Sequence, residues 1–492
     1  MQENIPVGRY PDGSDTIACF DGATAGAPNT IEPLKDTQRL SDVTFSAPSG
    51  FYESAFALEL THKDPEAEIR YTLDGSEPSE KSLVYQNPIN ISVNEDSAAV
   101  IRARAYKKGY PKSRIATQTY FVQPGIASKY DIPVVSIVTD PENLFDYEKG
   151  IYVAGKVRDD WLKAHPNEEI SSGIPANFNQ EGKRWERPAY VEVFEPGGIL
   201  GLSESVGIRT HGGYSLSHQN KSLKLVARAE YSGQDYFNYD FFSDGELVRT
   251  KGIILRNSAT DSRRSFFRDA FIQSLADPER LDLQKSRPCA AYINGEYYGI
   301  YNIRTLYSEE YIGERYHMDP QDVVIIKNPS GGIGDEIEEG LIGDEMPFNK
   351  LYRFIEQNDM SIKANYEYVN TQIDIDNYIE YNILEIFCGN EDWPANNVRI
   401  WRKRTPRYIP DAPYGHDGRW RWLIFDLDYG FGLFDKSHSK DTLKMATEVS
   451  SSAWNNPPWS TMMLRQLLTN NAFRTKFISR FCDLLNSSFR EE

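Results

Sequence analysis

Between residues 43 and 122 apolar and polar positions alternate with period two, in short runs such as Glu68-Ile69-Arg70-Tyr71-Thr72-Leu73 and Val100-Ile101-Arg102-Ala103-Arg104-Ala105-Tyr106. Successive side chains of a strand point to opposite faces, so the alternation predicts half-buried strands, and the Asp74-Gly75 and Lys108-Gly109 pairs supply turns between them. The segment therefore reads as a small antiparallel β-sandwich. Past the Gln123-Pro124-Gly125 junction, residues 130–492 alternate strand and helix patterns, and the chain as a whole is expected to be α+β. Residues 132–138 predict a buried strand, and residues 289–301 a hairpin turning at Asn294-Gly295, because a type I′ turn needs positive φ at both central positions. Helical spacing covers 263–276 and 376–388. In the second, Tyr378, Ile379, Ile383, Ile386 and Phe387 form a core stripe, with Gly389 placed for a left-handed cap. Residues 1–42, rich in Gly, Pro, Asp, Thr and Ala, show little period and are expected as loop, and so is the acidic stretch 328–346 around Gly331-Gly332-Ile333-Gly334.

Charge and cysteine usage narrow the partners. The 492 residues carry a formal net charge of −18 and no basic tract, which argues against nucleic acid. Cys19, Cys289, Cys388 and Cys482 are far apart and form no CxxC, so neither a zinc module nor a disulfide framework is indicated. No apolar run is long enough to span a membrane, and the first residues do not read as a signal peptide.

Two late segments carry the chemistry. Residues 388–401 read Cys-Gly-Asn-Glu-Asp-Trp-Pro-Ala-Asn-Asn-Val-Arg-Ile-Trp, placing Asn397 five residues after Asp392, the spacing of a catalytic base and a Mg²⁺-binding Asn in a protein-kinase catalytic loop. Residues 420–430 read Trp-Arg-Trp-Leu-Ile-Phe-Asp-Leu-Asp-Tyr-Gly and end in a segment that parallels Asp-Phe-Gly. In this order they point to phosphoryl transfer. If 420–428 stays extended, Trp420, Trp422, Ile424, Asp426 and Asp428 share one face, an aromatic wall for adenine followed by two carboxylates for the Mg²⁺ of a bound triphosphate. A calcium site or an acidic turn is the plainer reading of that segment alone, as an Asx turn before Pro394 is of Asp392.

Upstream, the glycine-bearing turn after Gly207-Ile208-Arg209 precedes Lys221-Ser222-Leu223-Lys224-Leu225, where Leu223 and Leu225 would face a core and Lys224 a cleft. Lys224 is the candidate phosphate ligand, with Lys221 and Arg209 as substitutes. In the helix expected around 264–276, Phe266, Phe267, Ala270 and Phe271 define the apolar arc, and Asp269 falls opposite it, free to pair with Lys224 or with Arg268.

Several motifs support named resemblances. Tyr71-Thr72-Leu73-Asp74-Gly75-Ser76-Glu77-Pro78, with Tyr85 and Arg102-Ala103-Arg104-Ala105, resembles the chitobiase C-terminal type of immunoglobulin-like domain, and residues 8–14 with 23–29 resemble the closing segment of lamin-tail domains. Residues from about 130 onward resemble the CotH (spore coat protein H) kinase-like family. The matching motifs are Gly207-x-Arg209 with Gly212 and Ser215, Lys221-Ser222-Leu223-Lys224, Leu255-Arg256-Asn257 followed by Arg268-Asp269, Ile293-Asn294-Gly295-Glu296-Tyr297-x-Gly299-x-Tyr301, Asn390-x-Asp392-Trp393 with Asn396-Asn397, and Phe425-Asp426-x-Asp428. The resemblance implies an atypical protein-kinase-like domain, cut short at its C-terminus, that binds ATP with Mg²⁺ or Mn²⁺ and phosphorylates secreted or surface proteins. It implies Asp392 as the catalytic carboxylate and Asp426 or Asp428 with Asn397 at the metal. The extracellular assignment comes from it alone. Ile303-Arg304-Thr305-Leu306 departs from the family pattern, where an acidic residue often stands.

Two other classes compete. A catalytically idle surface scaffold, binding a protein or cell-surface glycans through the sandwich, would tolerate loss of Asp392. A glycosidase is disfavoured, because Asp426 and Asp428 are too close in sequence to flank a sugar bond.

Overall fold

The computed structural model describes residues 5–30, 32–92, 96–169, 171, 173–245, 249–332, 334–433, 439–449 and 454–490. The fold is α+β, and its chain divides into two compact units, Met1–Tyr239 with Pro288–Tyr301, and Asp240–Arg287 with Asn302–Glu492.

In the first unit the alternating pattern forms the strands it predicts. Glu68–Thr72 and Ala99–Tyr106 pair antiparallel inside a five-stranded sheet. Two short ribbons, Thr44–Phe45 with Leu60–Thr61 and Phe56–Leu58 with Ile89–Ile91, complete the sandwich around Leu58, Ile91, Ala103 and Tyr120. The N-terminal stretch is less irregular than its composition suggests, since Val7–Arg9 pairs with Ile17–Cys19.

A second sheet of the same unit holds Val134–Val138, buried along its whole length, antiparallel to Arg187–Glu195 and parallel to Ser286–Ile293, with Val134 opposite Ala290. Phe121, Phe194 and Tyr292 join sandwich and sheet in one cluster, with Phe121–Tyr292 ring centroids 4.9 Å apart. The expected hairpin turn has φ 50° at Asn294 and 83° at Gly295, and a Cβ on Gly295 would clash with the Ala98 carbonyl.

The second unit packs helices on a four-stranded sheet ordered Glu336–Glu339, Val323–Lys327, Arg399–Lys403, Arg421–Leu423. Its first strand lies in the stretch expected as loop; Ile333 of that stretch is outside the described residues. Helix Ile375–Cys388 begins at Asp374, whose carboxylate accepts the Asn377 N–H, and runs through the core with nearly every residue buried. It ends, as expected, at Gly389 in the left-handed region, φ 65°.

The helix expected over 263–276 is shorter and turned the other way. Phe266 has φ 64°, which no helix accommodates, so the α-helix spans only Arg268–Ser274. Asp269, Ile272 and Gln273 face inward, while Phe267 and Phe271 are 57% and 46% exposed. Asp269 is therefore an interior carboxylate and not a residue opposite the apolar arc.

Arg421 is fully buried between Asp417, at 2.8 Å, and Asp374, at 3.0 Å. Removing one member of such a group strands the remaining charges in a low-dielectric interior. Arg421→Ala is expected to cost about 3–5 kcal/mol in urea denaturation. Arg421→Lys, which keeps the charge but loses the planar fork, should cost less.

Candidate active site

The catalytic-loop candidate leaves the core where helix Ile375–Cys388 stops. Asn390 is fully buried, donates to Glu385 Oε2 at 2.8 Å and accepts the Asp392 N–H at 3.1 Å, so it fixes the start of the loop. Burial pushes the Glu385 carboxyl up to about 8, so at neutral pH it is a mostly protonated brace. Asp392 accepts from Asn396 Nδ2 at 3.1 Å and from Asn397 Nδ2 at 2.7 Å. Burial and the nearby charge of Asp426 push Asp392 up to about 6, against the two amide hydrogen bonds. The result is an oriented carboxylate poised to take up a proton near neutral pH. Asn396, like Asn390, serves the loop as a brace. Asn397, at φ 57°, turns its amide nitrogen to Asp392, which leaves its oxygen as the atom able to meet a cation.

The acidic segment differs from its expected form. The strand covers only Arg421–Leu423, and Asp426 has φ 60°, so the chain curls and the alternation that would align Trp420, Trp422, Asp426 and Asp428 is lost. Trp420 and Trp422 are 1% and 3% exposed. Trp420 packs edge-on to Phe348, and Trp422 lies 4.4 Å from Tyr378 between ring centroids. Both tryptophans are core residues, which corrects their assignment to an adenine wall.

Asp426 and Asp428 nevertheless converge, because Leu427 between them is buried in the core while each carboxylate turns back to the same arginine. Arg256 Nη2 lies 2.5 Å from Asp426 Oδ1 and 3.5 Å from Asp428 Oδ2. Thr260 donates both its N–H, at 2.9 Å, and its hydroxyl, at 2.7 Å, to Asp428 Oδ2. Burial and the adjacent Asp426 raise the Asp428 carboxyl, although Arg256 and Thr260 oppose the shift. Burial alone would weaken the charge of Arg256, but Asp426, Asp428 and Asp269 hold the guanidinium firmly protonated.

Among the described residues no three His, Cys, Asp or Glu side chains form a closed metal cage. Two carboxylates that converge on one arginine, with the side-chain amide oxygen of Asn397 turned away from Asp392, suit instead an ion of the Mg²⁺ type. Such an ion takes one or two carboxylates and fills its shell with water and phosphate oxygens.

Asp392, Asn397, Asp426 and Asp428 all belong to the second unit, where Asp392 feels the charge of Asp426. Asp269 lies there too, but its counter-ion is Arg304, 2.8 Å away, which corrects the expected pairing with Lys224. Arg209, Lys221 and Lys224 belong to the first unit. There, Leu223 and Leu225 face the core as expected, and Lys224 stands opposite Arg209 on the neighbouring strand. Lys221 does not present its ammonium outward. It is 5% exposed, donates to the Leu216 and His218 carbonyls at 2.8 and 2.7 Å, and lies 4.7 Å over the Phe178 ring; burial brings it down to about 8. It braces the glycine-bearing turn and is withdrawn as a phosphate ligand.

Sequence reading missed the ties of Arg256 and Thr260 to the acidic segment. One signal was present: Gly252–Arg256 is an apolar strand whose last residue is charged, and a charge on a buried strand requires a partner.

A family model described as CotH kinase protein matches residues 208–492, and one described as Fn3 associated matches residues 58–120. No curated protein matches the chain. Among solved structures, the D00-D0 domain of intimin aligns at 12% identity and TM-score 0.14, covering 35% of this chain and 74% of that one. The sialic acid binding region of the Streptococcus sanguinis SK1 adhesin bound to 3'sLn aligns at 9% identity and TM-score 0.11, covering 80% and 98%. Among the described residues no helix is long and apolar enough to cross a membrane.

Proposed function

For a chain that belongs to the CotH kinase protein family, we propose the activity of an ATP-dependent phosphotransferase that uses Mg²⁺ or Mn²⁺ and acts on Ser or Thr hydroxyls of secreted or surface proteins. The observation that carries this reading is the Asp392 carboxylate, held by two amides, pushed up to about 6 and within electrostatic reach of Asp426, which shares Arg256 with Asp428. Asp392 accepts the acceptor hydroxyl's proton as the oxygen attacks the terminal phosphorus, and the bond to the departing diphosphate breaks. Asp426, Asp428 and the Asn397 oxygen would hold the metal ion, which supplies charge neutralisation to the phosphates. Lys224, with Arg209 as its substitute, is kept as the phosphate ligand on the sequence pattern alone. Location outside the cell or at its surface, and association with surface glycans through the sandwich, belong to the same proposal and rest on resemblance.

The test is incubation of the full chain with labelled ATP and Mn²⁺ or Mg²⁺, scoring label on the protein and on casein-like acceptors. Metal-dependent label supports the reading; none, with no thermal shift on adding nucleotide and metal, overturns it. One observation favours the idle-scaffold alternative: Arg256 already neutralises Asp426 and Asp428. A scaffold predicts no shift with Mn²⁺.

The ionisation of Asp392 predicts a pH profile. As a base it must be deprotonated, so kcat/KM, which reports the free enzyme, should rise with pH along a limb centred near the value of about 6. Asn396→Ala removes a hydrogen bond that favours the charged form and should move the limb to higher pH. A limb unmoved in this variant would assign the ionisation to another group.

A further inference from the structure

Asp426 and Asp428 lie on a non-strand turn with two non-glycine residues at positive φ, Asp426 at 60° and Phe431 at 46°, a conformation that local sequence does not enforce. Its backbone is held from outside, by two adjacent residues at the start of helix Arg268–Ser274. Asp269 Oδ1 accepts the Leu427 N–H at 2.9 Å, between the two carboxylates. Arg268 Nη1 donates to the carbonyls of Gly430 and Phe431 at 3.0 and 2.8 Å, at the far end of the turn.

Both residues are themselves fixed. Asp269 is 5% exposed, accepts from Gln273 Nε2 at 3.0 Å, and has Arg304 Nη2 at 2.8 Å from Oδ2. That last contact is close but not aligned as a hydrogen bond, so it acts through charge. Burial would raise the Asp269 carboxyl, but Arg304, Arg256 and the Leu427 amide keep it ionised. The Arg268 guanidinium is seated on Asp261, whose carboxylate also takes the Ser265 hydroxyl.

We propose that Arg268 and Asp269 are positioning residues that clamp the acidic turn, Asp269 at Leu427 and Arg268 at Gly430–Phe431, so that Asp426 and Asp428 are presented together to a divalent cation. Neither touches the cation; each acts through the backbone that carries its ligands. This gives Arg304 a role as well. It is the counter-ion that keeps a carboxylate, the stronger acceptor, at the Leu427 amide. The inference rests on the reading of Asp426 and Asp428 as metal ligands.

The test is Mn²⁺ titration of the full chain by calorimetry, with the melting temperature measured on each variant. Asp269→Asn/Arg304→Met removes both buried charges but retains an oxygen for the Leu427 N–H, and should bind Mn²⁺ within about threefold of wild type. Asp269→Leu/Arg304→Met removes the acceptor too and should bind about 10–100-fold more weakly, the range for loss of a group that orients metal ligands. Equal affinity of the two folded double variants overturns the clamp, since a purely structural role would not distinguish them. Arg268→Met reads the clamp from its other end, whether or not the leucine variant folds. About tenfold weaker binding is expected, and an unchanged affinity overturns the proposal. Wild-type protein that takes up no Mn²⁺ overturns the metal reading itself and the clamp with it, an outcome distinct from a clamp failure on a protein that binds.

Discussion

Asp392→Asn is expected to lower the rate of phosphate transfer by about 10²–10⁴-fold, the usual contribution of a positioned general base. Nucleotide and Mn²⁺ binding should change little. The substitution keeps shape and removes the negative charge and the capacity to take a proton. It also changes the local hydrogen bonding, because Asn396 and Asn397 both donate to this carboxylate. An asparagine there has one oxygen to offer and so loses one of the two bonds. Asn390, which sets the start of the loop through the backbone of residue 392, is untouched. A loss confined to kcat, measured in single turnover with saturating ATP, identifies Asp392 as the base. A loss confined to KM would place it in binding, and retained transfer would remove it from the chemistry.

Asp428→Asn should weaken Mn²⁺ binding by about a hundredfold or more, beyond the 10–100-fold of an outer-shell change, while the fold survives. An asparagine oxygen can still accept from the Thr260 N–H and hydroxyl, and Arg256 keeps its closer partner Asp426. Because burial and Asp426 already disfavour ionisation of Asp428, a neutral side chain there carries little penalty. Asp426→Asn is a different experiment. It removes the nearest counter-charge of a buried guanidinium, so lost metal binding would be mixed with lost stability. Calorimetric titration with Mn²⁺ alongside melting curves separates the two, and Asp428→Asn with wild-type affinity would exclude Asp428 as a ligand.

The parts of this architecture that could be read in advance are those whose determinants are local. The helix Ile375–Cys388 carries its own stripe, cap acceptor and terminal glycine. The Asn294-Gly295 turn is specified by two adjacent residues. The Asp392 loop was legible for a similar reason, since Asn390, Asn396 and Asn397 all reach it within five positions.

Where the determinant is distant, pattern misled. Asp269 reads as an acid opposite an aromatic arc, free to pair with Lys224 or Arg268, until Arg304 arrives from the strand Glu296–Thr305 and makes its burial tolerable. Phe267 and Phe271 then take the outer face. Likewise a period of two places Trp420, Trp422, Asp426 and Asp428 together only while the strand lasts, and it stops at Leu423 because the following turn is held from outside. The order of residues thus shows two neighbouring carboxylates at Asp426 and Asp428, and it does not show the geometry that makes them converge on Arg256.

The parallel pairing of Val134 with Ala290 sets a limit on where the protein can be shortened. As the chain is synthesised, Val134–Val138 meets Arg187–Glu195 early, but its other edge stays open until Ile293 has been made. Non-local parallel pairings of this kind form slowly, and an open edge is a template for association with other chains. Fragments ending between those two events keep every residue of the sandwich and yet expose that edge. They are expected to aggregate, and a soluble N-terminal piece is better sought by stopping before Val134 or by continuing past Tyr301.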